Sequence, residues 1–378
     1  MGFILMTQSL FADAVLELLQ TLTETHGASG FEGPVRKIVE DELQGVMADL
    51  HLDGLGNLIG KRETETGHKP RVLLMAHLDE VGFLVREISE EGFIFFDNAG
   101  GWIDQVILEQ KWVISTPKGP IIGVTGAEPP HVILDYPKQP CNVSQKKMFL
   151  DIGVRSKEEA EALGIRPGLP ITPYATFHEL SSSGRYLAKA IDDRVGLAAL
   201  ITTLKNLVGE ELPCEIVLAA TVQEETFMRG SQVIFDSTQP DVVFNIEVGI
   251  ARDFPVLFPN HLPRVPRLGE RPSIFVYDAT VIPNHNLIEH ITSVAKEQNI
   301  PFQYECQGLW YGNDGCRLQV SGKGIPVINL GIPTRYVHSH YGVMERSDFD
   351  QMVELLQATL RGFTSDVMEA IRDRSGWY

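Results

Sequence analysis

Apolar residues recur at helical spacing over residues 10–23. They do so again over 34–47, after a glycine-rich turn at Gly27, Gly30 and Gly33, so two amphipathic helices are expected. The period then changes. Residues 50–59 and 71–76 read as strands, the second a continuous apolar run of the kind buried on both faces of a sheet. From about residue 83 to about 179 the strands become short, frequent and punctuated by Gly and Pro (GFLVREI, GFIFFD, KWVISTPKGPIIGVTG, PPHVILD), with a short helix at 156–163. That spacing predicts a small β barrel or sandwich rather than βαβ units. Helix and strand alternate again at 194–207, 215–221, 241–248, 286–297 and 327–330, and a long closing helix is expected over 347–372. The predicted fold class is α/β: a discontinuous domain of residues 1–82 and 180–378 carrying an inserted β domain at 83–179.

Five short polar segments stand at or near the ends of the apolar runs, and each offers a metal-binding side chain. They are His77-Leu78-Asp79-Glu80, Ala190-Ile191-Asp192-Asp193-Arg194, Gln223-Glu224-Glu225, Ile246-Glu247-Val248 and Tyr336-Val337-His338-Ser339. Ligand sites of open α/β sheets lie beyond the carboxyl ends of the strands. Two His and several carboxylates gathered there suit a pair of divalent metals, with one carboxylate left over as a base. A His at a strand end is more often structural when it stands alone. The following Asp79, placed to take the other ring N–H of a metal-bound His77, and the four companion segments reverse that preference. Asp192 is the choice for a carboxylate shared by both ions, and Asp193 is the competing choice, since either could simply cap the helix that follows. Glu224 and Glu225 diverge on an extended segment, so one can bind metal while the other stays free to accept a proton. Glu247 interrupts an apolar strand, where an ionised carboxylate rarely sits unless paired or coordinating. His340 is left open between a surface histidine, a substrate contact and a competing ligand.

Composition narrows the choice of partners. The 378 residues carry 32 basic and 50 acidic side chains, a net charge of −18, which disfavours nucleic acid and anionic membrane surfaces. No apolar run approaches the ~20 residues that span a bilayer. The MGFILM opening lacks the basic region and long apolar core of a signal peptide. Four cysteines without CxxC spacing fit a reducing cytoplasm. No GxSxG, Walker A, strand-borne GxGxxG or HExxH motif occurs. A glycosidase pair of Glu224 and Glu247 would leave both His segments unexplained.

The ordered set GASGFEGPVR (27–36), AHLDEVGF (76–83), PPH (129–131), DIG (151–153), KAIDDRVG (189–196), QEE (223–225) with a downstream Arg229-Gly230, and PTRYVHS (333–339) resembles the M42 metallo-aminopeptidases nearly end to end. The resemblance implies a phosphorylase/hydrolase-like catalytic domain with an inserted β-barrel domain used in dimerisation, and dimers that build a dodecamer. It also implies a cytoplasmic two-metal aminopeptidase, with zinc or cobalt. His77 and Glu247 would hold one metal and Glu225 and His338 the other; Asp192 would bridge and Glu224 would be the general base. Asn313-Asp314 resembles the family's Thr-Asp substrate-pocket step. The chain departs from the family pattern at Glu247, where Asp is usual and the extra methylene reaches roughly 1.5 Å further. It departs again at Thr226-Phe227-Met228, in place of Val-Gly-Leu, and at His340-Tyr341, in place of Pro-Val. The changes at Glu247 and Phe227 keep in play a metal-dependent amidohydrolase or deacylase for non-peptide or blocked substrates; a non-catalytic assembly protein that keeps the fold is a further alternative, against which the intact Glu224 argues.

Overall fold

Four strands at the centre of the molecule are almost wholly apolar because both of their faces are covered. In the computed structural model, residues 13–62, 69–126, 128–129, 131, 143–255, 265–308, 311–373 and 375 are described. The strands Glu215–Thr221, Arg71–His77, Val242–Ile250 and Val327–Arg335 lie side by side in that order and run parallel. Antiparallel strands extend both edges. Leu58–Lys61 and Ala48–Leu52 add on one side, and Gly342–Glu345, Arg185–Ala188 and His178–Leu180 on the other. Ser273–Tyr277 and Gln303–Cys306 branch from Val327–Arg335.

Alternate side chains of one strand enter different cores, as the two-residue strand period requires. Val72, Leu74 and Ala76 face the large core, whereas Leu73 and Met75 face the smaller one on the other side of the sheet. The helix Ile191–Asn206 lies in the large core, every residue from Asp193 to Ile201 buried. Helices Ala14–Glu24, Gly33–Leu43 and Arg346–Gly362 pack beside it. The parallel strands therefore deliver four carboxyl ends to one rim, with a buried helix starting beneath it.

After His77 the chain leaves the sheet. Strands Gly82–Ile88, Ile94–Ala99, Phe149–Asp151, Gly119–Gly126, Lys111–Thr116 and Pro170–Pro173 close into an antiparallel barrel with its own core. Phe83 is central to that core, its ring 4.6 Å from Phe96 and 4.9 Å from Trp112 between centroids. The chain re-enters the sheet at His178–Leu180, which pairs with Arg185–Ala188.

Two expectations from the pattern change. Residues 50–59 form parts of two strands of a hairpin, turned by Asp53, whose carboxylate accepts the amides of Leu55, Gly56 and Asn57. The closing helix divides into Arg346–Gly362 and Ser365–Arg372. Phe363 is fully buried there, and the Thr364 hydroxyl accepts the Val367 N–H to start the second helix. The break lets Met368 and Ile371 reach the large core beside helix His285–Glu297. Residues 10–12 of the first expected helix, residues 130 and 132–135 of PPHVILD, and Cys141 lie outside the described residues. Among the described residues no helix is long and apolar enough to cross a membrane.

Candidate active site

Two donor groups share one carboxylate at the rim of the central strands. His77 ends its strand with Nε2 3.0 Å from Asp192 Oδ1 and 3.7 Å from Glu247 Oε1. His338 Nε2 lies 3.2 Å from Glu225 Oε2 and 3.6 Å from Asp192 Oδ2. Within the sets His77–Asp192–Glu247 and Asp192–Glu225–His338, one ligand atom per residue lies within 4.8 Å of the others. Glu224 belongs to neither set, although it lines the same cavity.

Local backbone chemistry sets these directions. Gln223 and His338 adopt left-handed φ values of +55° and +57°, which turn the chain sharply as it leaves the strands. The Asp192–Asp193 peptide is cis. Asp193 accepts the Gly196 N–H at 3.2 Å and the His77 N–H at 3.3 Å, so it caps the buried helix while Asp192 faces the donors. Asp79 acts differently from its expected pairing with His77 alone. The His77 Nδ1 lies 3.0 Å from the Asp79 carbonyl oxygen and 3.5 Å from its carboxylate. That carboxylate also accepts the N–H groups of Glu224 at 2.9 Å and Glu225 at 3.1 Å, and the Ser29 hydroxyl at 2.5 Å. Asp79 thus holds the Gln223-Glu224-Glu225 turn against the His77 strand.

The electrostatics suit a divalent cation. Burial and the neighbouring Asp192 push the Glu247 carboxyl up to about 8, against the pull of His77. Burial also raises Glu225, and raises Glu224 well above the carboxylate range with help from Asp314, Glu247 and Glu225. Burial opposes the charge on His338, but Glu225 and Asp192 outweigh it and lift the imidazole to about 9. Glu225 Oε1 is buried with no hydrogen-bond partner. Crowded carboxylates, two imidazoles and an orphaned oxygen form a donor set that fits two hard or borderline divalent ions.

This geometry has relatives. A family model described as M42 glutamyl aminopeptidase matches residues 56–355. This chain belongs to the M42 peptidase family. It is 33% identical over 357 residues to the putative aminopeptidase FrvX of Escherichia coli, covering 94% of this chain and 97% of that protein. A TET aminopeptidase from the marine sediment archaeon Thaumarchaeota archaeon SCGC AB-539-E09 matches with TM-score 0.89 and 35% identity, over 95% of this chain and 99% of that one. The TET1 peptidase of Pyrococcus horikoshii, which can assemble into a tetrahedron or a large octahedral shell, matches with TM-score 0.82 and 29% identity, over 92% and 99%.

In this M42 peptidase the cavity beside the donors measures about 610 Å³. Asp314 and His340, two residues expected at a substrate pocket, are not among those that line it. Asp314 is buried beneath the site, bonded to the Thr221 hydroxyl at 2.5 Å. His340 is buried against the Trp112 ring of the barrel, 3.2 Å from the Tyr174 carbonyl, and burial lowers its imidazole to about 4. Three participants escaped the sequence reading. Tyr311 places its hydroxyl 3.3 Å from Glu247 Oε2. Glu32 accepts the Gln223 N–H at 3.0 Å. The Gly100-Gly101 pair brings the barrel against the donors: a Cβ on Gly101 would lie 3.2 Å from His338 Nδ1, and one on Gly100 3.4 Å from Glu225 Oε2. A glycine pair ending a strand was the signal available for that close approach.

Proposed function

We propose that this chain is a dinuclear metallo-aminopeptidase that removes N-terminal residues from peptides with free amines. The observation that carries the reading is the carboxylate of Asp192 shared between the two donor sets, with the Glu224 carboxylate free beside them. His77 and Glu247 would hold one ion, Glu225 and His338 the other, and Asp192 both; zinc or cobalt suits such nitrogen and carboxylate donors. Such ions, when bound, polarise the scissile carbonyl and acidify the attacking water.

Glu224 takes a proton from the water as its oxygen attacks the carbonyl carbon, and returns it to the departing amine nitrogen as the C–N bond breaks. Burial and neighbouring carboxylates favour that brief protonation. Asp79 fixes the Glu224 and Glu225 amides so that the base and the ligand keep divergent directions. The substrate's ammonium enters a cavity whose described lining holds four carboxylates and no Lys or Arg.

Residues 1–82 and 180–378 form the catalytic domain in this reading, and residues 83–179 form a barrel through which copies pair and build toward a dodecamer. Two features support the pairing. The TET1 relative assembles into closed shells, and the barrel strand Gly119–Gly126 presents Ile122 and Val124 to solvent. Free Cys214, Cys306 and Cys316 are consistent with a reducing cytoplasm.

The test is initial rates on free-amine and N-acetylated peptides after loading with Zn²⁺ or Co²⁺, with Glu224→Gln as control. Cleavage of free amines alone, reduced ~10²–10⁴-fold in the variant, is expected. Activity confined to blocked substrates would move the chain to the deacylases. Failure to bind metal would favour a non-catalytic assembly protein.

A further inference from the structure

Phe227 sits where a bulky residue is least expected. Its φ is +77°, a left-handed conformation that L side chains other than Asn and Asp rarely adopt. The following Met228 is left-handed too, at +53°. The turn is held open by its own bonds: Arg317 Nη2 donates to the Phe227 carbonyl at 3.1 Å, and Gln232 Nε2 donates to it at 3.3 Å. The Met228 N–H returns to the Glu224 carbonyl at 2.8 Å. This strained turn delivers the Phe227 ring to the cavity wall with 74% of its surface exposed. A bulky apolar residue placed in a costly conformation and left uncovered is a site at which strain serves a contact made by something else.

The rest of the wall agrees. Ile103 from the barrel is 65% exposed, Tyr336 is 48% exposed, and Met228, Ile250 and Phe254 complete the apolar surface. All four carboxylates of the cavity lie at its hydrolytic end, within the donor sets or beside them as Glu224. Asp253 and Arg335, which flank the wall residues Phe254 and Tyr336 in sequence, are already paired, with Arg335 bonding both oxygens of Asp253 at 2.7 and 2.5 Å. Arg317, spent in part on the Phe227 carbonyl, is not among the residues that line the cavity, so a substrate side chain carrying an ammonium or a carboxylate would be desolvated against this wall without a charged partner among its lining residues. An apolar side chain would cover surface that is now wet.

We propose that the cavity selects peptides whose N-terminal residue bears a large apolar or aromatic side chain, and that Phe227 is the specificity-determining face on which that side chain packs. The proposal rests on the aminopeptidase reading of the same site, and it predicts a preference in binding as well as in turnover.

The experiment compares X-Gly-Gly peptides with X as Leu, Phe, Ala, Glu and Lys. Turnover is measured on the metal-loaded protein, and equilibrium binding on metal-loaded Glu224→Gln protein. The expected kcat/KM for Leu and Phe exceeds that for Ala by ~10–100-fold, the discrimination typical of an apolar pocket, with Glu and Lys at or below Ala. Phe227→Ala should shrink the Leu-to-Ala ratio by ~5-fold or more, with the loss in KM, while Phe227→Leu should keep most of it. Preference for Glu or Lys, or a Leu-to-Ala ratio unmoved by Phe227→Ala, overturns the proposal. If turnover fails throughout, the aminopeptidase reading falls, and the binding series still decides this one: apolar-selective binding weakened by Phe227→Ala supports it, and unselective binding refutes it.

Discussion

Replacing Lys189 by methionine should destabilise this protein by about 3 kcal/mol, and changing Glu80 to glutamine in the same chain should restore most of the loss. Lys189 and Glu80 are each 1% exposed, and the ammonium donates to Oε1 at 2.6 Å, to Oε2 at 2.8 Å and to the Thr25 carbonyl at 3.1 Å. Burial outweighs the attraction of Glu80 and lowers the Lys189 ammonium to about 8, so Glu80 does not fully offset the cost of withdrawing that charge from water. What costs is stranding one member. Removing one partner of a buried pair typically costs ~3–5 kcal/mol, whereas replacing both by uncharged groups is often neutral. The lower end applies here because the Glu80 carboxylate would keep the Gly27 N–H at 3.0 Å and Arg194 at 3.6 Å. Lys189→Met, Glu80→Gln and the double variant should be unfolded in urea at one pH and one protein concentration, with chelator present throughout. Midpoints and slopes then give a double-mutant cycle. A coupling of at least ~2 kcal/mol is expected. Singles costing below about 1 kcal/mol, or singles that simply add, would refute the argument.

Three further outcomes follow from particular contacts. Saturation of both sites with Zn²⁺ at about 100 times its dissociation constant should stabilise the protein by ~2.7 kcal/mol per site, roughly 5 kcal/mol in all, against chelator-treated protein in thermal unfolding. Asp192→Asn, which weakens both donor sets, should remove at least half of that shift; a full shift in the variant would exclude Asp192 as the shared ligand. Gly101→Ala puts a Cβ 3.2 Å from His338 Nδ1, and should lower kcat/KM roughly 10-fold, less than the ~100-fold of a 1 Å misplacement, with a melting temperature close to wild type; unchanged activity would show that His338 does not need its present position. Glu305 is fully buried, and burial lifts its carboxyl to about 7 from 4.5, although Ser273, Gln307 and the Ile250 amide favour the charge. Because the folded state binds this proton more tightly, the contribution is complete below pH 4.5 and is lost as pH rises through 7, about 3 kcal/mol in all. Glu305→Gln should abolish that part of the pH dependence of stability, measured as the difference between the two proteins at pH 4.5 and 8; an unchanged profile would place the titration elsewhere.

The parallel strands were legible because a strand buried on both faces must be continuously apolar, and Arg71–His77 and Val242–Ile250 are. The barrel was legible at Phe83 because short strands with frequent Gly and Pro cannot supply βαβ crossovers. The rim positions of His77, Glu224 and Glu247 were legible one at a time, since each ends or interrupts an apolar run. Their mutual arrangement was not. Nothing in the local pattern shows that Asp79 holds the amides of Glu224 and Glu225, 145 and 146 positions away, or that Glu32 reaches Gln223. The places of Asp314 and His340, away from the cavity lining, were hidden for the same reason. Each is a polar residue close in sequence to the rim, and only the packing shows the first buried against Thr221 and the second sealed against Trp112. The break at Phe363 was hidden because residues 347–372 keep helical periodicity on both sides of it.

Long-range bonds also tie the segments behind the charged rim together. Glu80, Lys189 and Arg194 lie behind the donors, and Arg194 donates to the carbonyls of Leu22 at 2.6 Å and Thr25 at 3.1 Å. They fasten the end of the first helix to the segments that bear His77 and Asp192. The fastening uses charges fully withdrawn from water, which are costly to strand and therefore resist rearrangement. The donor end is thus braced by contacts that do not involve any bound ion. The opposite wall is built from exposed apolar side chains on turns, Phe227 foremost among them. A site divided this way can change the residue it prefers by altering Phe227 or Ile103 without moving an atom that holds or transfers a proton, so hydrolysis and selectivity should respond to separate substitutions.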